Sequence, residues 1–151
     1  MDLGRVGVAG VSWGGYMTGW AVTQTDRFGA AVAHSVISNW VSFHLTADIA
    51  AFDEIIMPDA WDDARGLYVE RSPVYQAHRC RTPTLVTGGA LDMCTPAGQG
   101  QELFNAISAT GTEAELVIYP REGHLPFERA HALDSIQRTQ AWFDRHLGPA
   151  S

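Results

Sequence analysis

Four short runs of small and β-branched residues punctuate the chain, at Arg5–Val11, Ala30–Ser35, Thr84–Thr87 and Ala114–Tyr119. Each has the length and composition of a buried strand. Stretches with helical spacing lie between and after them, and such an alternation predicts a parallel sheet covered on both faces. The first helix is expected just after Ser12, because Gly14 and Gly15 permit a sharp turn and Tyr16–Gln24 carries no breaker except Gly19. Thr95 and Pro96 read as the N-cap and first residue of a second helix, with Leu103, Phe104 and Ile107 on its inner face and Gly111 beyond its end. In the last helix Leu133, Ile136, Phe143 and Leu147 form one stripe, interrupted by Gln140 and stopped by Gly148-Pro149. The segment from Asn39 to Ser72 is less regular. Short helices are expected around Ala47–Ile56 and Trp61–Tyr68, broken at Pro58 and Gly66 and lying over the C-terminal edge of the sheet.

Composition narrows the class. With 151 residues, 46% of them hydrophobic and 18% charged, the chain suits one globular domain spanning 1–151, and no repeat or low-complexity linker divides it. The apolar runs fall well short of the ~20 residues of a membrane helix, and no basic-then-apolar leader opens the sequence. The expectation is a soluble, cytoplasmic chain without a membrane partner. The formal charge is −7 and the ten basic residues, all arginine, are scattered, so no stripe exists to neutralise phosphates and nucleic acid is excluded as a partner. Cys80 and Cys94 are expected as free thiols, no metal-type spacing of cysteine or histidine occurs, and no cofactor is called for.

The chemistry centres on Gly10-Val11-Ser12-Trp13-Gly14, the pattern of a nucleophile elbow, with a strand before it and a helix after. A serine hydroxyl needs a histidine to take its proton and a carboxylate to hold that histidine's tautomer. Asp92 follows the third strand through Gly88-Gly89, and His124 follows the fourth through Pro120-Arg121-Glu122-Gly123. Both would project from the same sheet edge as Ser12, where open parallel sheets place their ligands. The Trp13 N–H, next after the nucleophile, is the expected oxyanion donor. Tyr16 and Trp40 are candidate substrate-binding aromatics, although aromatics near an elbow are more often core. His131 and His146 read as helix-surface groups, His78 as a surface loop residue and His34 as a strand residue bonded in the core; His44 stays open, on a segment that could overhang the site. Asp53/Glu54 and Asp62/Asp63 read as solvated pairs, and Cys94 as structural or incidental rather than nucleophilic.

Taken together, Gly10-Val11-Ser12-Trp13-Gly14-Gly15-Tyr16-Met17-Thr18, Trp20, Thr25-Asp26-Arg27-Phe28, Ala30-Ala31-Val32, Ser38-Asn39-Trp40, Glu70-Arg71-Ser72-Pro73, Thr82-Pro83-Thr84-Leu85, Gly89-Ala90-Leu91-Asp92 and Glu122-Gly123-His124 run in one order along nearly the whole chain. In this order they resemble the acylaminoacyl-peptidase-like branch of the prolyl oligopeptidase serine peptidases. The resemblance implies an α/β-hydrolase-type parallel sheet, here truncated to about four strands with flanking helices, and a triad of Ser12, Asp92 and His124. Two departures weaken transfer of substrate preference: Gly88 stands where relatives usually carry His, and Met93-Cys94-Thr95 lacks the Arg often found after the Asp.

Members of that family carry a β-propeller and the first half of the hydrolase fold before the elbow, the half that supplies the second oxyanion donor. One such donor is worth roughly 2.7–4 kcal/mol of transition-state stabilisation. The expectation is therefore a serine hydrolase working through an acyl-enzyme, favouring small acyl esters over amides, with copies pairing through the exposed elbow strand or adjacent helices. The alternatives are an exopeptidase of acylaminoacyl or dipeptidyl type, and a catalytically inactive fragment or interaction module.

Overall fold

The computed structural model describes residues 5–49 and 51–148. Strand β1 (Gly7–Val11) leads into helix α1 (Trp13–Gln24), and β2 (Ala30–His34) into α2 (Trp40–Thr46), α3 (Phe52–Ile56), α4 (Leu67–Glu70), α5 (Pro73–Gln76) and a 3-10 turn at Ala77–Arg79. After these come β3 (Thr84–Gly89), α6 (Ala97–Ser108), β4 (Ala114–Tyr119) and α7 (Arg129–Leu147). The four strands form one parallel sheet in the order β1-β2-β3-β4. This is the predicted α/β sheet with flanking helices. No helix among the described residues is long and apolar enough to cross a membrane.

Alternate positions of the central strands feed opposite faces. Ala31, Ala33 and Val86 point into a core with Val22 of α1 and Leu103 and Ile107 of α6. Ala30, Val32 and Leu85 point the other way, onto Trp142, Phe143 and Leu147 of α7. A third cluster, Tyr16, Ile37, Trp40, Phe43, Met57 and Tyr68, lies on the α2–α4 segment and joins it to α1.

Several expected boundaries shift. β1 begins at Gly7, and the Arg5 side chain instead donates to the carbonyls of Leu147 and Gly148. β2 ends at His34 because Ser35 turns into the left-handed region at φ 43. α6 begins at Ala97, one residue later than expected, because the Thr95 hydroxyl is committed to Asp92 and Pro96 takes the cap position. Leu103 and Ile107 of α6 are buried as expected, whereas Phe104 is only half-buried.

The segment after β2 departs most. A helix forms at α2, where none was expected, because the Asn39 side chain accepts the Val41 and Ser42 N–H groups while Trp40 and Phe43 bury completely. Among the described residues of those spans, helical structure is confined to Phe52–Ile56 and Leu67–Glu70, shorter than expected. In α7 the inward face carries Ser135 and Trp142; Leu133 and Ile136 are 46% and 64% exposed, so the expected stripe holds only at Phe143 and Leu147, beside β1.

Side chains expected on the surface also find partners. His131 Nδ1 meets Glu122 Oε1 at 2.8 Å, and the His146 ring packs on Trp142 with centroids 4.5 Å apart. Asp53 is buried: its Oδ2 accepts the Tyr68 hydroxyl at 2.6 Å and pairs with His44 Nδ1 at 2.8 Å, while the His44 ring stacks on Trp61. Glu54, Asp62, Asp63 and His78 are exposed, although His78 sits in the 3-10 turn rather than a loop.

Candidate active site

Three turns that follow β1, β3 and β4 carry the predicted residues Ser12, Asp92 and His124, and the last two are in direct contact. Ser12 joins β1 to α1 with φ 61 and ψ −121, a conformation that costs a non-glycine residue on the order of 1–3 kcal/mol and persists only where its surroundings impose it. Here they do. The Ser12 N–H donates to the His34 carbonyl at 3.0 Å, and its own carbonyl accepts the Tyr16 N–H at 2.9 Å. A Cβ on Gly10 would lie 2.2 Å from the Gly14 carbonyl oxygen, and one on Gly15 2.4 Å from that of His34, so the turn closes only around bare backbone. Trp13 is the first residue of α1, where the helix offers N–H groups without internal acceptors and a partial positive charge.

Asp92 sits beyond β3 and is 3% exposed. Its Oδ1 accepts the N–H groups of Cys94 at 2.9 Å and Thr95 at 2.8 Å; its Oδ2 accepts the Thr95 hydroxyl at 2.7 Å and faces His124 Nδ1 at 2.9 Å. A carboxylate has about four acceptor positions, and all are used. His124 lies beyond β4 with its side chain 31% exposed. The bond to Asp92 engages Nδ1 and leaves Nε2 for another partner. The Ser35 hydroxyl donates to the His124 carbonyl at 2.8 Å, so the end of β2 supports the Ser12 turn through His34 and the His124 turn through Ser35. Among the described residues no hydrogen bond joins the Ser12 hydroxyl to His124; such bonds are commonly loose before substrate arrives.

Two hollows flank these residues. One of about 200 Å³ is lined by Val11, Ser35, Thr87, Gly89 and His124, with His34 at its wall. His34 touches Thr87 Oγ1 through Nδ1 and Thr139 Oγ1 through Nε2 at 3.4 Å, and burial holds its imidazole below the usual histidine range. The other, about 360 Å³, is lined by Trp13, Tyr16, Met17, Trp20, Met57 and Leu67 among others. Its aromatic rings meet at an angle: Trp13 lies 5.1 Å from Tyr16 and 6.0 Å from Trp40 behind the lining, tilted by 48° and 52°. Trp13 is 43% exposed, whereas Trp40 is wholly buried and backs the surface without reaching it.

Cys80 and Cys94 are both free. Burial, with the charge of Asp92 beside it, pushes the Cys94 thiol up, which keeps it protonated and poorly nucleophilic. Glu122, Glu128 and His131 bring possible ligand atoms within 4.8 Å of one another, but Glu122 and His131 bind each other and Arg121 grips Glu128 through two bonds of 2.7 Å. Thr95, Ser35 and Glu122 escaped the sequence reading. Thr95 left a trace there, since Asp followed three residues later by Thr is a turn in which the carboxylate collects the following N–H groups, and Glu122 stood in the Glu122-Gly123-His124 block with no role attached.

The chain matches the prolyl oligopeptidase family over residues 1–150. It belongs to that family. It is 40% identical over 152 residues to the uncharacterized peptidase YuxL of Bacillus subtilis, covering 97% of this chain and 23% of that protein. The mouse acylamino-acid-releasing enzyme is 30% identical over 155 residues, covering 97% of this chain and 21% of the enzyme. The acylaminoacyl peptidase of Pyrococcus horikoshii superposes with a TM-score of 0.91 at 27% identity, over 99% of this chain and 25% of that one. The chain thus spans about a quarter of the length of these prolyl oligopeptidase relatives, and its four strands correspond to part of their α/β-hydrolase fold.

Proposed function

We propose that this chain carries the nucleophile, base and carboxylate of a serine peptidase that cleaves acyl–amino bonds of short peptides through an acyl-enzyme. The observation that carries the reading is the 2.9 Å contact of His124 Nδ1 with the buried Asp92 Oδ2, on the same sheet edge as a serine held at φ 61. The Ser12 hydroxyl attacks the substrate carbonyl while His124 Nε2 takes its proton, and Asp92 orients the imidazole and stabilises its charged form. The Trp13 N–H at the start of α1 faces the developing oxyanion. Collapse breaks the C–N bond as His124 returns the proton to the leaving amine, and water then attacks the acyl-serine with His124 again as base.

The acyl–amino preference rests on the family and on relatives named as peptidases and acylamino-acid-releasing enzymes. It displaces the ester preference expected from the sequence, for which the comparisons offer no support. The aromatic hollow at Trp13, with Tyr16 in its wall and Trp40 behind it, suits an apolar side chain next to the scissile bond. The free thiols fit a reducing compartment such as the cytoplasm.

The test is a matched pair, an N-acetylamino-acid p-nitroanilide and the corresponding p-nitrophenyl ester, with wild-type chain and Ser12→Ala. Release of both chromophores, lost in the variant, supports the peptidase; ester turnover alone restores the esterase reading. Rates equal in both proteins leave a catalytically inactive fragment or interaction module as the remaining reading.

A second proposal concerns assembly. Among the described residues β1 pairs only with β2, and Gly7, Ala9 and Val11 are exposed along it. An edge of this kind invites pairing, and we assign it to a second copy of the chain. Sedimentation equilibrium at micromolar concentration checks this, and a folded monomer would rule it out.

A further inference from the structure

The loop between β4 and α7, which carries His124, is wound around one buried carboxylate. Glu122 is 3% exposed. Its Oε2 accepts the Phe127 N–H at 2.8 Å, and its Oε1 accepts the Glu128 N–H at 2.9 Å and His131 Nδ1 at 2.8 Å. Its main-chain carbonyl accepts the Leu91 N–H at 2.8 Å, one residue before Asp92. Glu122 therefore ties the loop to the Asp92 turn through its backbone and to the first turn of α7 through its side chain.

The surroundings leave this arrangement little slack. A Cβ on Gly89 would stand 2.1 Å from the Gly123 carbonyl oxygen and 2.4 Å from that of Glu122, so the Asp92 and His124 turns touch backbone to backbone. Across the loop, Ser35 at φ 43 holds the His124 carbonyl. Arg121, the neighbouring cation, turns away to Glu128. What Glu122 meets is three N–H donors, and only a group with no donor of its own satisfies all three. An amide in its place would set an NH₂ against at least one of them, leaving a buried donor unpaired.

We infer that Glu122 is a positioning residue that fixes the His124 loop against Asp92, and that His131 sets the orientation of its carboxylate. The inference rests on the serine-hydrolase reading for its kinetic consequence and on geometry alone for its structural one. A displacement near 1 Å in a catalytic group costs on the order of a hundredfold in rate. Glu122 lines the hollow of about 200 Å³ beside His124 and not the Trp13 hollow proposed to take the substrate side chain, so for substrates held at Trp13 its loss falls on kcat and leaves KM near its original value.

The experiment compares Glu122→Gln, His131→Leu and His131→Asn, the last because an asparagine amide nitrogen can occupy the place of Nδ1. Two signals are read: the rate at which a fluorophosphonate labels Ser12, and the Nδ1–H resonance of His124 in ¹H–¹⁵N spectra of the imidazoles. Expected are a roughly hundredfold slower labelling of folded Glu122→Gln, slowing in the same direction for His131→Leu, near-original rates for His131→Asn, and loss of the His124 resonance wherever labelling slows. A folded Glu122→Gln with the original labelling rate and an undisturbed resonance overturns the inference. Should that variant not fold, the two His131 variants decide, since equal and unaltered behaviour of Leu and Asn overturns it as well. If the unaltered chain is not labelled at Ser12, the serine-hydrolase reading fails while the resonance still judges the positioning role.

Discussion

Asp92 Oδ2 stands 2.9 Å from His124 Nδ1, and the Thr95 hydroxyl reaches the same oxygen at 2.7 Å. The carboxylate thus serves the histidine from a position locked by its own turn. Replacing it by an amide keeps the shape but offers a donor where an acceptor is needed, which favours the wrong imidazole tautomer. Asp92→Asn should lower kcat by about ten-thousandfold with little change in melting temperature. Thr95→Val removes one of four bonds to Asp92 and should cost far less, about tenfold, the loss of roughly 1.4 kcal/mol of orientation. Steady-state kinetics on the anilide substrate check both.

The elbow glycines should not be equivalent. A Cβ at Gly15 would strike the His34 carbonyl oxygen at 2.4 Å, the same oxygen that receives the Ser12 N–H, whereas one at Gly14 meets nothing within 4 Å. Gly15→Ala should therefore destabilise by about 1–3 kcal/mol or more and abolish turnover, because relief requires moving β2 away from the nucleophile. Gly14→Ala should fold normally, and inside a helix the added methyl is worth up to about 1 kcal/mol of stability. Urea midpoints and Ser12 labelling rates distinguish the two.

How much of this was legible in the sequence follows from how local each feature is. The strand-turn-helix unit at Ser12 was readable because strand, strained serine and helix are contiguous, and the meeting of Asp92 with His124 because each lies in the short turn after a strand of one parallel sheet. α2 was not, because Trp40-Val41-Ser42-Phe43 fits no single period, and its helix depends on Asn39 as a cap and on burial against Tyr16 and Tyr68 from elsewhere in the chain. Asp53 looked solvated beside Glu54 because its partners, His44 and Tyr68, come from other helices. In α7 the periodicity gave a helix but not which face meets the sheet, so Leu133 and Ile136 were placed inward while Ser135 in fact lies there. Glu122 stood in the Glu122-Gly123-His124 block, but its side-chain role left no local signal because its donors are mostly backbone N–H groups.

Acid should weaken the fold in two windows. Burial holds His34 below its ordinary value of 6.5, so between that value and its native one the unfolded chain takes up the proton first and stability falls as pH falls. Glu122 is held below 4.5 chiefly by the Phe127 N–H, Glu128 below 4.5 chiefly by Arg121, and Asp134 below 3.8 chiefly by Arg138. Their contribution is complete above those ordinary values and is lost as pH drops through the lower native ones. Melting temperatures recorded from pH 7 to pH 2 should decline in two steps. His34→Gln should remove the upper step and Glu122→Gln should shrink the lower; a curve flat down to pH 4.5 would contradict the first assignment.

Trp13 and Trp40 touch, with ring centroids 6.0 Å apart, yet should fail in different ways. Trp40 is wholly buried among Tyr16, Phe43 and Met57, so Trp40→Ala opens a cavity and should cost about 3–5 kcal/mol. That is a large share of the 5–15 kcal/mol typical of a domain, and any loss of activity should track the fraction unfolded. Trp13 is 43% exposed on the rim of the aromatic hollow, and truncating it empties less of the core. Trp13→Ala should keep most of the stability and the N–H proposed to face the oxyanion, which belongs to the backbone, while raising KM for substrates with an apolar side chain next to the scissile bond and sparing those with glycine there. Kinetics on the two substrate types, below the melting temperature of each variant, test this. An equal loss on both would mean that Trp13 shapes the elbow rather than the hollow.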